Sequence, residues 1–140
     1  MINVKFKKLE SNAIPFSYSR DNDACMDMYA FREAYIPSGA TVIVPTKIAV
    51  EIPKGYEGIV RGRSGLASKG IHAHLGTIDE EYRGDVGIIL TNNSGVPFEV
   101  KAGMRLAQFT VKPVHRVQLV ELTELTDTER GVNGYGSSGL

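Results

Sequence analysis

Asp79 stands in a run that could do acid–base chemistry: Gly76-Thr77-Ile78-Asp79-Glu80-Glu81-Tyr82-Arg83-Gly84-Asp85-Val86. Ile78 and Val86 begin flanking strands and Glu80-Glu81 reads as a polar turn, which puts Asp79 at a strand end beside a tight bend. A carboxylate fixed there can orient a water and take its proton. Tyr82 offers a flat face for a sugar or a base. The plainer alternative is a solvated acidic hairpin with one packed tyrosine.

Three further segments carry suitable side chains. In Gly62-Arg63-Ser64-Gly65-Leu66-Ala67, a helix starting at Ser64 would aim a hydroxyl and free N–H groups at one spot and favour an anion. Arg63 adds a planar fork suited to phosphate oxygens. An ordinary serine cap beside a surface arginine explains the same residues. In Gly103-Met104-Arg105-Leu106-Ala107-Gln108-Phe109, strand alternation puts Gln108 on the face of Met104 and Leu106. A buried amide there needs partners, from a ligand or from backbone. The segment from Arg130 to Gly139 is rich in glycine and serine. Its glycines allow close backbone approach to a ligand. Arg130, Ser137 and Ser138 could hold a terminal phosphate while Tyr135 stacks on a ring. A mobile tail is the other reading. It is not a Walker A loop, because Gly-Lys-Ser/Thr is absent.

Other singletons say less. His72 and His74 alternate on a predicted strand, but two histidines without a third ligand make a poor zinc site. Cys25, the one cysteine, has no resolving partner, which excludes an internal disulfide and suits a reducing, cytoplasmic setting. The 16 Lys+Arg balance 16 Asp+Glu, so no global field draws the chain to nucleic acid or anionic lipid. No apolar run nears the ~20 residues that span a bilayer.

The elements that must position these groups are strands. Val and Ile number 24 against nine Leu, a bias toward pleated sheet. Met1–Lys8 alternates like a strand. Apolar runs of strand length recur at Thr41–Val44, Ile48–Ile52, Tyr56–Arg61, Val86–Leu90, Phe98–Val100, Leu106–Val111 and Val117–Leu122, separated by Gly/Pro/Asn turns. The expectation is an all-β chain, a sandwich, jelly roll or barrel, with one short helix at Ser64–Lys69 ended by Gly70. Residues 1–125 should form the core and 126–140 a flexible arm.

Taken in order, these segments resemble the five motifs of the trimeric deoxyuridine triphosphatases (dUTPases): Ala24–Ala30, Arg63–Gly65, Gly76–Gly84, Gly103–Gln108, and Arg130-Gly131 with Gly134–Gly139. Cys25-Met26, Gly62 and Tyr135 stand where the family usually has Gly-Tyr, Pro and Phe. The resemblance implies a distorted jelly-roll subunit, a homotrimer with active sites shared between subunits, Mg²⁺, and hydrolysis of dUTP to dUMP and pyrophosphate. It implies that Asp79 is the general base. Backbone of the hairpin at Ala73, Gly76, Thr77 and Ile78, with Gly87 nearby, would read uracil. Tyr82 would lie under the deoxyribose. Arg63, Ser64, Gly65 and Gln108 would hold phosphates, and Arg130, Ser137 and Ser138 would close on the γ-phosphate. Tyr135 and Gly136 would cover the base, with Phe98 the alternative aromatic. Asp27 would serve the metal indirectly, through water. Two rival readings are a dCTP deaminase-like enzyme on the same fold and a dUTPase-like module that only binds a regulatory partner.

Overall fold

The computed structural model describes residues 2–138; Met1 of the predicted first strand and Gly139 and Leu140 of the arm lie outside the described residues. The chain runs β1 (Lys5–Lys8), β2 (Met26–Tyr29), β3 (Ala34–Ile36), β4 (Thr41–Val44), β5 (Ile48–Glu51), β6 (Tyr56–Gly62), α1 (Ser64–Ala67), β7 (Ile71–Ala73), β8 (Gly76–Ile78), β9 (Ile88–Asn92), β10 (Phe98–Val100) and β11 (Arg105–Pro113). All pairings between these strands are antiparallel. One sheet has the order β2-β11-β6-β8 and another β4-β9-β7, with two-stranded ribbons β1-β5 and β10-β3 closing the sides. This is the all-β, jelly-roll-like architecture that the strand spacing implies.

The core lies between the sheets. Phe109, Met28, Leu106, Ile36, Ile48, Ile88 and Leu90 are all fully buried. Phe109 on β11 packs its ring 5.3 Å from that of Phe16. It also presses on β6, where a Cβ at Gly58 would fall 2.8 Å from the Phe109 ring, so only glycine fits there. Removing that ring should cost about 3–5 kcal/mol. Asn92 is buried among these residues, as are Asp27 and Thr46, and its amide is fully satisfied. Its Nδ2 donates to the carbonyls of Ile36 and Val96, and its Oδ1 accepts from Ser94 N and Oγ. That pattern ties the 92–95 turn to β3.

Three expectations need correction. β2 is a strand around Asp27 that the apolar runs did not mark. The helix is a single turn whose cap residue is Arg63, with extended φ −102 and ψ 132; Ser64 is the first helical residue and not the cap. Gly70 does take a left-handed φ of 79, two residues after the helix has already ended at its Ser68 cap. Val117–Leu122 forms no strand: Val117, Leu119 and Val120 are exposed, Leu119 by 93%. A strand forms only where a partner edge supplies its hydrogen bonds, and β11 stops at Pro113.

Candidate active site

Asp79 leaves β8 just beyond Ile78, which pairs with Gly58 of β6. The Tyr82 N–H donates to the Asp79 carbonyl at 3.1 Å and closes the turn. Asp79 and Tyr82 line a depression of about 480 Å³ whose apolar walls are Ile43, Val60, Ile78 and Ile89. That volume suits a small organic ligand. Gly76, Thr77 and Gly87 line it too. A Cβ at Gly87 would sit 3.0 Å from Ile43 Cγ2, and one at Gly76 3.3 Å from Val60 Cβ. The glycines thus keep the backbone open to a planar group. Ala73, on β7, does not line this depression.

Tyr82 is held from below. Its hydroxyl donates to the Asp85 carbonyl at 3.0 Å, and its ring lies over Gly84, where a Cβ would fall 2.6 Å from Tyr82 Cζ. The Asp85 carboxylate accepts from Thr46 N (3.2 Å), Thr46 Oγ1 (3.0 Å) and Lys47 N (2.8 Å). His74, at the rim, hydrogen-bonds Thr91 Oγ1 through Nε2 at 2.7 Å. Arg32 and Lys47 supply cations to the same depression.

A second depression, about 400 Å³, gathers Arg20, Arg63, Arg105, Asp27, Gln108 and Cys25. Asp27 is 5% exposed, and its oxygens are taken. Ser19 Oγ donates to Oδ2 at 2.6 Å, Arg105 Nη1 lies 3.2 Å from Oδ2, and Arg63 Nε lies 3.5 Å from Oδ1. Arg63 Nη1 also donates to the Arg105 carbonyl at 2.9 Å. The two guanidiniums are therefore aimed by one carboxylate, and the cluster carries three arginines, a chemistry suited to phosphate oxygens. Asp27 Oδ2 accepts from Ser19 Oγ and Arg105 Nη1, while Oδ1 only faces Arg63 Nε in an ion pair. Among the described residues no group of three or more His, Cys, Asp or Glu could hold a metal.

Two side chains differ from their sequence reading. Gln108 is half-buried and lines this second depression; it is not an amide sunk among apolar residues. A register break between Arg105 and Ala107 against β2 buries both Leu106 and Ala107, so alternation resets before Gln108. Arg105 and Ser19 were not foreseen, since they meet only across 86 residues of chain. Ser64 and Gly65 line neither depression, and a Cβ at Gly65 would meet nothing within 4 Å. Phe98 pairs with Ile36 on β10 and packs on the core, so it covers neither depression.

Asp79 and Arg63 are well separated along β6, although the first depression reaches Val60, three residues short of Arg63. Ile78 faces Gly58, which puts Asp79 level with Glu57, six residues before Arg63. At a strand rise of about 3.3 Å per residue the separation is roughly 20 Å. Arg130, Tyr135, Gly136, Ser137 and Ser138 lie on the surface tail and line neither depression. Arg130 Nε donates to the Asn133 carbonyl at 2.9 Å, and Tyr135 is fully exposed.

Comparison with known proteins agrees with the motifs. The dUTPase family model matches residues 11–139. The deoxyuridine 5′-triphosphate nucleotidohydrolase of Clostridioides difficile is 44% identical over 143 residues, covering all of both chains. That of Crocosphaera subtropica is 44% identical over 140 residues, covering 98% of this chain and 99% of the other. The dUTPase of Staphylococcus bacteriophage 80alpha, solved with dUpNHpp, superposes with a TM-score of 0.93 at 25% identity over the whole of both chains. With the β-scaffold, the Asp79 turn and the arginine cluster all in place, the chain belongs to the dUTPase family.

Proposed function

We propose that the chain, as a dUTP nucleotidohydrolase, hydrolyses dUTP to dUMP and pyrophosphate in sites that copies of itself complete. Asp79 takes the proton of a water attacking the α-phosphorus, and the bond to the β-phosphate breaks as pyrophosphate leaves. Arg63 and Gln108, with Arg105 beside them, bind phosphate oxygens and offset charge as the anhydride opens. The observation that carries this reading is the gap of roughly 20 Å along β6 between Asp79 and Arg63. One triphosphate cannot touch both groups of one chain, whereas the Arg63 cluster of a second copy can face Asp79 of the first. A homotrimer, the family's usual assembly, supplies such contacts. The exposed apolar run at Val117, Leu119, Val120 and Leu122 gives each copy a surface to lay on a neighbour.

Uracil is read by shape and backbone. The segment over residues 73–82, with Gly76 and Gly87 lining the first depression, admits a hydrogen at C5 and clashes with the methyl of thymine. Cytosine would present a donor where uracil has an acceptor and leave buried groups unpaired. Tyr82 lies under the deoxyribose. The arm over residues 126–140 closes afterwards, bringing Arg130, Ser137 and Ser138 to the γ-phosphate and Tyr135 with Gly136 over the base. Ordering it costs roughly 1–2 kcal/mol per residue of backbone, so closure depends on ligand. Mg²⁺, general to the family, finds no direct ligand set in one chain; triphosphate oxygens are its ordinary partners. No helix among the described residues is long and apolar enough to cross a membrane, and the free Cys25 suits the cytoplasm, where we place the enzyme.

The test is a panel of dUTP, dCTP, dTTP and UTP with Mg²⁺, scoring pyrophosphate and ammonia. A strong preference for dUTP with pyrophosphate release supports the reading. Comparable hydrolysis of all four contradicts the specificity. Ammonia from dCTP would indicate a deaminase, and no turnover a binding module.

A further inference from the structure

We propose that Asp85 is a positioning residue for sugar discrimination: it ties Tyr82 to the buried 46–48 turn and so makes that ring an unyielding wall. The proposal rests on the reading of Tyr82 as the surface under the deoxyribose.

Tyr82 is 44% exposed, so packing alone does not fix its ring. Two links do. The Tyr82 hydroxyl donates to the Asp85 carbonyl at 3.0 Å, which folds the ring back over Gly84. The Asp85 carboxylate then accepts three donors from Thr46 and Lys47, the shortest from Lys47 N at 2.8 Å. Thr46 is 1% exposed and is itself anchored: its Oγ1 shares one proton between the Asp85 carboxylate and the Val86 carbonyl, each at 3.0 Å, and accepts from Ile48 N. Lys47 holds a left-handed φ of 58, a conformation unfavourable to a lysine that the bond to Asp85 helps retain. A chain of hydrogen bonds therefore runs from the Tyr82 hydroxyl to the core. Asp85 lines the same depression as Tyr82 and Asp79, so its loss would be felt at the ligand. A ribose carries one hydroxyl more than a deoxyribose. A fixed ring rejects it by steric overlap, and a ring free to tilt gives way.

The experiment measures kcat/KM for dUTP and for UTP on the wild type, Asp85→Ala, Asp85→Asn and Tyr82→Phe. Asp85→Ala should lower the dUTP-to-UTP ratio by about tenfold or more. Asp85→Asn keeps an acceptor oxygen and should stay within about threefold of wild type. Tyr82→Phe, which removes only the hydroxyl link, should lower the ratio by an intermediate amount. Equal losses on both substrates in Asp85→Ala, leaving the ratio unchanged, would make Asp85 a purely structural residue and overturn the proposal. Should Asp85→Ala fail to fold, Tyr82→Phe decides, and an unchanged ratio there overturns it. A wild type that hydrolyses UTP as well as dUTP would instead refute the role given to Tyr82, and the proposal with it.

Discussion

The depression around Tyr82 and the one around Asp27 are built on different principles. The first has aliphatic walls from β4, β6 and β9, with glycines where a Cβ would fill it. The second is charged, with Arg63 and Arg105 aimed by a nearly buried carboxylate. Shape suits a base, which carries little charge, and fixed cations suit a triphosphate, which offers little shape. Their placement at opposite ends of β6 teaches more. On the proposed function, a second copy is what brings Asp79 and Arg63 onto one substrate. The described residues of the arm, 126–138, are a third kind of region, exposed almost throughout and lining neither depression.

That contrast can be broken at several points. The largest effect should come from Asp79→Asn, which keeps the shape of the first depression and removes its base. Turnover should fall by about 10²–10⁴-fold while dUTP still binds in a calorimeter; normal turnover would remove Asp79 from the chemistry. Deleting Arg130–Leu140 should cost on the order of 10²-fold in kcat, since only transition-state contacts are lost. Its melting temperature and oligomer size should match wild type, because the described residues of that segment bury nothing in the core. Arg63→Ala should lower kcat/KM by roughly 10–100-fold, with the loss shared between KM and kcat. The smallest effect belongs to a pair outside both depressions. The hydrogen bond from Lys5, and then its charge, hold the Glu51 carboxyl below its usual value, with Lys5 Nζ 2.9 Å from Oε1. Such stabilisation is present above the unfolded glutamate pKa and is lost as pH falls through the lowered folded value. Both groups are solvent-exposed, so Lys5→Ala should shift thermal unfolding by no more than repeat scans resolve, at neutral pH and in acid alike.

Much of the fold was legible because strands and turns are local. β4 and β10 lie where alternation and β-branched runs place them, and the short helix starts at Ser64 as expected but ends at Ser68, before Gly70. The Asp79 turn was legible for the same reason, since carboxylate, turn and aromatic fall within four residues, but the expected hairpin was not formed: Ile78 ends β8, the next strand starts at Ile88 and not at Val86, and the two do not pair. The rest was hidden by long-range effects. Asp27 meets Arg105 across 78 residues of chain, so the carboxylate that aims the arginines could not be read from either segment. The register break before Ala107 moved Gln108 off the face that strict alternation gives it. Val117–Leu122 carries a strand's pattern without a strand's partner.

The measurement that bears most directly on shared sites is complementation. Asp79→Asn and Arg63→Ala chains, each impaired alone, are co-expressed from one plasmid, purified as mixed oligomers and assayed at dUTP well below KM beside the two parents. If Asp79 of one copy works with Arg63 of another, random assembly leaves both residues intact in about one site in four, and dUTP turnover should recover to roughly that share of wild type. Activity no greater than the weighted sum of the two parents would place both residues in a single chain's site and contradict the account.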